Sequence, residues 1–211
     1  MAQSRLIHEL FSAAPVIPVL VIEDANDARP LGEALVAGGL PVLEVTLRTP
    51  AAIKAIHAMS DITGAYVGAG TVLTDPQAGA AKQAGATFAV SPGSTGLLRQ
   101  ACVDHDLPLL PGAATPSEAM TLLEAGYDHQ KFFPAEAAGG VPMLSALTSP
   151  LSQITFCPTG GVSTKNKDTY LALRNVKCVG GSWVAPKKLI KAKDWSAIEE
   201  LAREAATSGP S

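Results

Sequence analysis

The chain reads as an α/β protein of the (β/α)8 (TIM) barrel class with an extra N-terminal helix, and three observations predict it. Eight short apolar runs alternate with eight helical patterns along its 211 residues. Strands separated by helices pair in parallel through crossovers, and eight such units predict closure into a barrel. Three helices end alike, at Ala37-Gly38-Gly39, Ala84-Gly85-Ala86 and Ala125-Gly126-Tyr127, each with a glycine suited to a C-cap. Small and polar residues gather where the strands end. An open doubly wound sheet is the alternative, which calls for about five or six units and one glycine-rich phosphate turn.

The first helix is expected near Gln3–Ser12. Val16–Ile22 is then a near-continuous apolar run, as in a strand covered on both faces. Helix Asp27–Ala37 follows, with Asp24 or Asn26 as its cap. Strand Val42–Leu47 leads to helix Pro50–Met59, where Thr49 and Pro50 suit the N-cap and N1 positions. Strand Tyr66–Gly70 precedes helix Asp75–Ala84, and strand Phe88–Ser91 precedes helix Thr95–His105. Strand Pro108–Pro111 is followed by helix Pro116–Ala125, and strand Lys131–Phe133 by helix Val141–Leu147. Strand Ile154–Cys157 with helix Asn166–Leu173, and strand Val176–Val179 with helix Trp195–Thr207, complete the series. A single domain spanning residues 1–211 is expected.

Composition narrows the function. Apolar residues make up 47% of the chain and charged ones 17%, which suits a compact enzyme. The net charge of −3 and a pI near 5.8 argue against nucleic acid as a partner. The densest basic stretch, Lys187, Lys188, Lys191 and Lys193, reads as a solvated connection. Three widely spaced cysteines and four histidines form no metal-ligand pattern, so no metal is expected and the thiols should be buried and free. No apolar run is long enough to cross a bilayer, and the N-terminus does not resemble a signal peptide, so no membrane partner and a cytoplasmic location are expected.

A barrel's active site forms at the C-terminal ends of its strands. Those ends here carry Thr46-Leu47-Arg48-Thr49, Gly68-Ala69-Gly70-Thr71, Ser91-Pro92-Gly93, Pro111-Gly112-Ala113, Thr159-Gly160-Gly161 and Gly180-Gly181-Ser182. The last two turns follow strands seven and eight, where loop amides commonly bind phosphate. Of the ten lysines, only Lys131 and Lys177 fall on predicted strands, and Lys177 opens its strand at the solvated end. Lys131 shares a strand face with Phe133. Among the nineteen acids only Glu44 lies inside a strand, on the face of Val42 and Thr46, with Arg48 at the same parity. Glu44 and Arg48 could form a buried structural pair. Glu23 and Glu136, near other strand ends, compete for any acid/base role. An amine in an apolar pocket keeps some free base near neutral pH and attacks a ketone to give an iminium, while a carboxylate moves protons and an arginine grips a second carboxylate. Lys131, Glu44 and Arg48 together suit a 2-oxo acid substrate.

Six motifs in order extend this: Leu43-Glu44-Val45-Thr46-Leu47-Arg48, Val67-Gly68-Ala69-Gly70-Thr71-Val72-Leu73, Ser91-Pro92-Gly93, Lys131-Phe132-Phe133-Pro134-Ala135-Glu136, Cys157-Pro158-Thr159-Gly160-Gly161 and Gly180-Gly181-Ser182-Trp183. From about Pro15 to Ala206 the chain resembles the 2-keto-3-deoxy-6-phosphogluconate (KDPG) aldolase / 4-hydroxy-2-oxoglutarate aldolase family of class I aldolases. The resemblance implies a homotrimer of (β/α)8 barrels that reversibly cleaves the phosphorylated 2-oxo sugar acid to pyruvate and D-glyceraldehyde 3-phosphate, in the Entner–Doudoroff route. It implies Lys131 as the Schiff-base lysine and Glu44 as general acid/base, with no cofactor beyond the lysine. It further implies that Arg48 and Thr71 hold the pyruvate carboxylate, and that Pro92 and Phe133 pack around the pyruvyl group. Thr159 and Ser182 would meet the aldehyde portion, and Gly160, Gly161, Gly181 and Ser182 the phosphate. Thr115-Pro116-Ser117-Glu118 and Ala137-Ala138-Gly139-Gly140 depart from the family's pattern near the mouth. The galactonate epimer remains an alternative substrate. A phosphate-binding barrel isomerase or synthase, or a catalytically silent sugar-phosphate binder, are the rival readings.

Overall fold

The structure is a computed structural model that describes residues 2–207. Helix α1 (Ala2–Ala13) leads into strand β1 (Val16–Leu20), a 3-10 turn at Ala25–Asp27, helix α2 (Ala28–Ala37) and strand β2 (Val42–Thr46). Then follow α3 (Ala52–Met59), β3 (Tyr66–Gly70), α4 (Asp75–Gln83), β4 (Phe88–Val90), α5 (Gly96–Asp104), β5 (Leu109–Leu110) and β6 (Gly112–Ala113). The chain ends with α6 (Pro116–Glu124), β7 (His129–Phe132), α7 (Gly140–Leu147), β8 (Thr155–Pro158), α8 (Lys167–Leu171), β9 (Val179–Gly181), α9 (Lys187–Ala192) and α10 (Trp195–Ala206).

All strand pairs are parallel. A six-stranded sheet runs β5-β4-β3-β2-β1-β9, and a three-stranded sheet runs β6-β7-β8. Isolated parallel bridges, Phe156 to Val176 and Thr159 to Gly180, lie between β8 and the β9 segment. Strand parity divides the core. Leu43, Val45, Phe132 and Phe156 point outward into the larger cluster shared with the helices. Ile17, Val42, Phe88, Val90, Leu110 and Cys157, drawn from both sheets, join Cys178, just before β9, in a smaller inner cluster. Ile7, Leu10 and Phe11 of α1 complete that inner cluster, and each buries a side chain worth about 1.5–3 kcal/mol. The ring of Phe11 meets His129, the first residue of β7, edge to face at 4.8 Å.

The glycine-terminated helices are as expected: Gly39, Gly85 and Gly126 adopt φ of 93°, 95° and 89° just past α2, α4 and α6. The three cysteines are free and buried. Burial pushes the Cys102 thiol up to about 11 and raises that of Cys178 as well. Among the described residues no helix is long and apolar enough to cross a membrane.

Several local expectations are corrected. The expected strand Pro108–Pro111 is split into β5 and β6, because Pro111 has no N–H to donate to a ladder. The expected strand Lys131–Phe133 begins earlier and stops at Phe132, before the cis Phe133–Pro134 peptide. The ladder expected at Val176–Val179 forms at Val179–Gly181, so Gly180 and Gly181 are strand residues and exposed Lys177 lies outside the strand. Thr49 does not cap α3. Its hydroxyl donates to the Ile22 carbonyl at 2.5 Å, and the helix starts at Ala52. Asp24 caps the 3-10 turn rather than an α-helix. The basic stretch at Lys187 is helical, with Lys187 paired to Glu23 and Lys193 to Asp27 at 3.3 and 3.9 Å.

Candidate active site

Lys131 and Glu44 come from different sheets and meet on the inner face. Lys131 sits mid-strand in β7, in register with Gly112 of β6 and Cys157 of β8. Glu44 occupies the middle of β2, opposite Gly68 of β3. Lys131 Nζ donates to Glu44 Oε1 at 3.0 Å and lies 3.3 Å from Oε2. Their side chains are only 5% and 3% exposed. Two ions removed from water recover little net stability from their attraction, so such a pair is poorly explained as a structural brace. A desolvated charge pair of this kind in the interior is a candidate functional site.

The carboxylate fits because β3 presents glycine beneath it. A methyl group on Gly70 would lie against Glu44 Oε1 and within 2.6 Å of its Cγ. Gly68, two residues earlier on the same face, leaves room for the Phe88 ring in the same way. The Lys131 ammonium also stands 5.6 Å from the centre of the Phe133 ring, within cation–π range. That ring in turn packs over Gly160, whose missing side chain would meet it at 3.3 Å.

The surrounding loops bring further polar groups together. Arg48 follows β2, and its Nε donates to the Thr71 hydroxyl at 3.1 Å. Thr71 follows β3 with φ of 59°, an uncommon conformation for a β-branched residue and a local strain of about 1–3 kcal/mol. Pro92 lies after β4, its carbonyl pressed where a side chain on Gly112 would be. Thr159, 7% exposed, bridges to Gly180, and a methyl on Gly180 would come within 2.9 Å of its Cγ2. Gly160 and Gly161 take φ of 98° and 81°, turning the backbone sharply after β8. Gly181 lies in β9 under the Trp183 ring, which leaves Ser182 as the exposed polar residue at the strand's end.

The two competing acids stand apart. Glu23 pairs with Lys187, both exposed, and Glu136 accepts a hydrogen bond from the Tyr170 hydroxyl. Gly70 and Gly180 stand in the strand-end motifs read from the sequence but carry no role of their own there, and Tyr170 has none either. Glycine at alternate positions of one strand, Gly68 and Gly70, is the signal that announces close approach by another group. Nothing in the sequence links Tyr170 to Glu136. Among the described residues no group of three or more His, Cys, Asp or Glu side chains is placed to hold a metal ion.

A curled parallel sheet and a smaller parallel one that bring an amine and a carboxylate together in a buried pair have the equipment of lysine-dependent carbonyl chemistry. The family model for KDPG and KHG aldolases matches residues 7–201, and the chain belongs to that family. It is 50% identical to a 2-dehydro-3-deoxy-phosphogluconate aldolase of Pseudoalteromonas atlantica, over 93% of this chain and 92% of that one. The crystal structure of the 2-keto-3-deoxy-6-phosphogluconate aldolase of Zymomonas mobilis ZM4 with 3-phosphoglycerate matches at TM-score 0.92 and 48% identity, covering 97% of this chain and 96% of that one. The KDPG aldolase of Legionella pneumophila, with pyruvate captured as a covalent carbinolamine, matches at TM-score 0.90 and 52% identity, covering 94% and 97%.

Proposed function

We propose that this chain is a class I aldolase that reversibly cleaves 2-dehydro-3-deoxy-6-phosphogluconate to pyruvate and D-glyceraldehyde 3-phosphate. The observation that carries the reading is the buried contact between Lys131 and Glu44. Lys131 Nζ attacks the C2 ketone to form a carbinolamine, which loses water to give an iminium. The electrons of the C3–C4 bond then flow into that iminium while Glu44, through a water, takes the C4 hydroxyl proton. The aldehyde leaves and an enamine remains. Glu44 returns the proton to C3, and hydrolysis releases pyruvate and frees the amine. The iminium is the electron sink, so the reaction needs neither metal nor added cofactor.

Arg48 and Thr71 hold the substrate carboxylate, and their mutual hydrogen bond supports that pairing. Pro92 and Phe133 enclose the pyruvyl carbons. Thr159 and Ser182 meet the hydroxyls of the aldehyde portion, and Gly160, Gly161, Gly181 and Ser182 surround the phosphate. Unphosphorylated 4-hydroxy-2-oxoglutarate, which would yield glyoxylate, can use the same iminium. The two sheets are parts of one closed eight-stranded barrel in a single domain, with α1 across its lower end. The bridges between β8 and the β9 segment support closure on one side, and the shared run through Pro111 supports it on the other. Homotrimeric assembly is part of the same proposal; Leu73 and Leu97, which line one surface groove and are 53% and 86% exposed, offer apolar surface for contact between copies. The place of action is the cytoplasm.

The test is covalent. Incubation with pyruvate followed by borohydride reduction and digestion should place a pyruvyl adduct on Lys131. Lys131→Arg should give none. Glu44→Gln should still label while turnover falls about 10²–10⁴-fold. An unlabelled wild-type protein, under conditions that label a known Schiff-base aldolase, refutes the assignment.

A further inference from the structure

We propose that Glu136, held in place by Tyr170, is a positioning residue that sets the phosphate-binding turn at Gly160–Gly161. The proposal rests on the reading of that turn given above. Neither side chain touches Lys131 in any hydrogen bond, and the chemistry derived above has no use for them.

Four contacts converge on the turn. Ala135 N–H donates to the Thr159 carbonyl at 2.8 Å, and Glu136 N–H donates to the Gly160 carbonyl at 3.1 Å. The backbone after Lys131 therefore runs beside the turn as it leaves β8. The Glu136 side chain fills the space where Gly161 lacks one, with its Cβ 2.7 Å from the position a methyl on Gly161 would take. From the far side, Asn166 Nδ2 donates to the Gly161 carbonyl at 3.1 Å, while its Oδ1 accepts from the Ser163 amide at 2.8 Å.

What fixes Glu136 itself is a fully buried tyrosine. Tyr170 of α8 has no exposed surface, and its hydroxyl donates to Glu136 Oε1. A buried hydroxyl needs a partner, so the bond is hard to give up. Burial, reinforced by the carboxylate, keeps the phenol protonated and hence a permanent donor. Gly140, at the start of α7, leaves room for both atoms: a methyl there would come within 3.2 Å of the Tyr170 oxygen and 3.3 Å of Glu136 Oε1. Four parts of the chain thus meet at one carboxylate. The turn is made of two glycines with positive φ, the most conformationally free residues available, so it needs outside support to hold its amides in one arrangement.

The geometry makes a selective prediction: the phosphate end of the site depends on Glu136 and the pyruvate end does not. Two measurements on the full chain separate them. One is the affinity for 3-phosphoglycerate by calorimetry, and the other is the rate of borohydride trapping with pyruvate. Glu136→Ala should weaken 3-phosphoglycerate about tenfold, equivalent to about 1.4 kcal/mol, and leave the trapping rate within about twofold. Glu136→Gln, which keeps an acceptor oxygen and the same volume, should restore most of the affinity. Tyr170→Phe should shift affinity in the same direction by a smaller factor, and it carries the test should Glu136→Ala not fold. Unchanged 3-phosphoglycerate affinity in the variants overturns the proposal. So does equal loss of affinity and trapping, which would mean general structural support, or a wild-type protein that does not bind 3-phosphoglycerate. Failure of wild-type trapping alone would strike the aldolase assignment instead, while the affinity arm still decides the role of Glu136.

Discussion

Gly70→Ala should disable the site without replacing a reactive group. The backbone permits it, because Gly70 lies in strand β3 and is not among the positive-φ glycines. The obstacle is steric. The new methyl would sit 2.6 Å from Glu44 Cγ and 2.9 Å from its Cδ, whereas carbon atoms pack comfortably at about 3.5–4.0 Å. Glu44 must therefore withdraw by about 1 Å. The 3.0 Å contact to Lys131 then stretches beyond hydrogen-bonding distance, and a misplacement of that size costs on the order of 10²-fold in rate. Crowding a packed interior should also cost about 1–3 kcal/mol of stability. Turnover is followed by coupling released pyruvate to lactate dehydrogenase, stability by thermal melting, and the lysine by borohydride trapping. Turnover should fall while trapping persists. Gly96→Ala serves as control, since a methyl there would meet only the tip of Arg99 at 3.9 Å. A folded Gly70→Ala enzyme with turnover within about twofold of wild type would refute the claim that this glycine seats the carboxylate.

Two further substitutions read different parts of the structure. Thr71→Gly relieves the backbone at φ of 59° and removes the hydroxyl that accepts from Arg48. It should raise thermal stability by about 1 kcal/mol and raise KM for pyruvate in the condensation direction; a fall in stability would show that the conformation is not strained. Glu118 completes a capping box on α6, accepting from the Ala114 and Thr115 amides, and these backbone bonds hold its carboxyl below the usual glutamate range. A depressed folded-state value means that the bond stabilises above the ordinary glutamate pKa of about 4.3 and is lost as pH falls through the folded value. Glu118→Gln should therefore melt below wild type at pH 7, with the gap closing under acid conditions; a gap that stays constant with pH would contradict the charged cap.

The Lys131–Glu44 pair was legible because charge inside a strand is rare. Lys131 and Glu44 stood out against apolar neighbours, and strand parity alone placed Glu44 with Val42 on the inner face. The last ladder was misplaced for the opposite reason. Val176-Lys177-Cys178-Val179 has strand-like residues, whereas the observed strand spends two of its three positions on glycine. Local propensity penalises Gly180 and Gly181, but Thr159 and Trp183 need the space that side chains there would fill. Thr49 was assigned to a helix cap on local chemistry, and its hydroxyl instead bonds the Ile22 carbonyl, 27 residues away in sequence. Contacts of that range, like Tyr170 to Glu136, leave no local trace.

Pro111 has a consequence beyond its missing amide. It separates the strand into pieces that belong to different sheets, and the ladder between β8 and β9 is reduced to isolated bridges. Lys131 rides on the three-stranded piece and Glu44 on the six-stranded one. Their ion pair is thus a contact that spans two seams. In the reaction proposed above, condensation at Nζ would replace that direct contact with one routed through bound substrate, so the two halves of the inner wall would be joined through the substrate at each turnover.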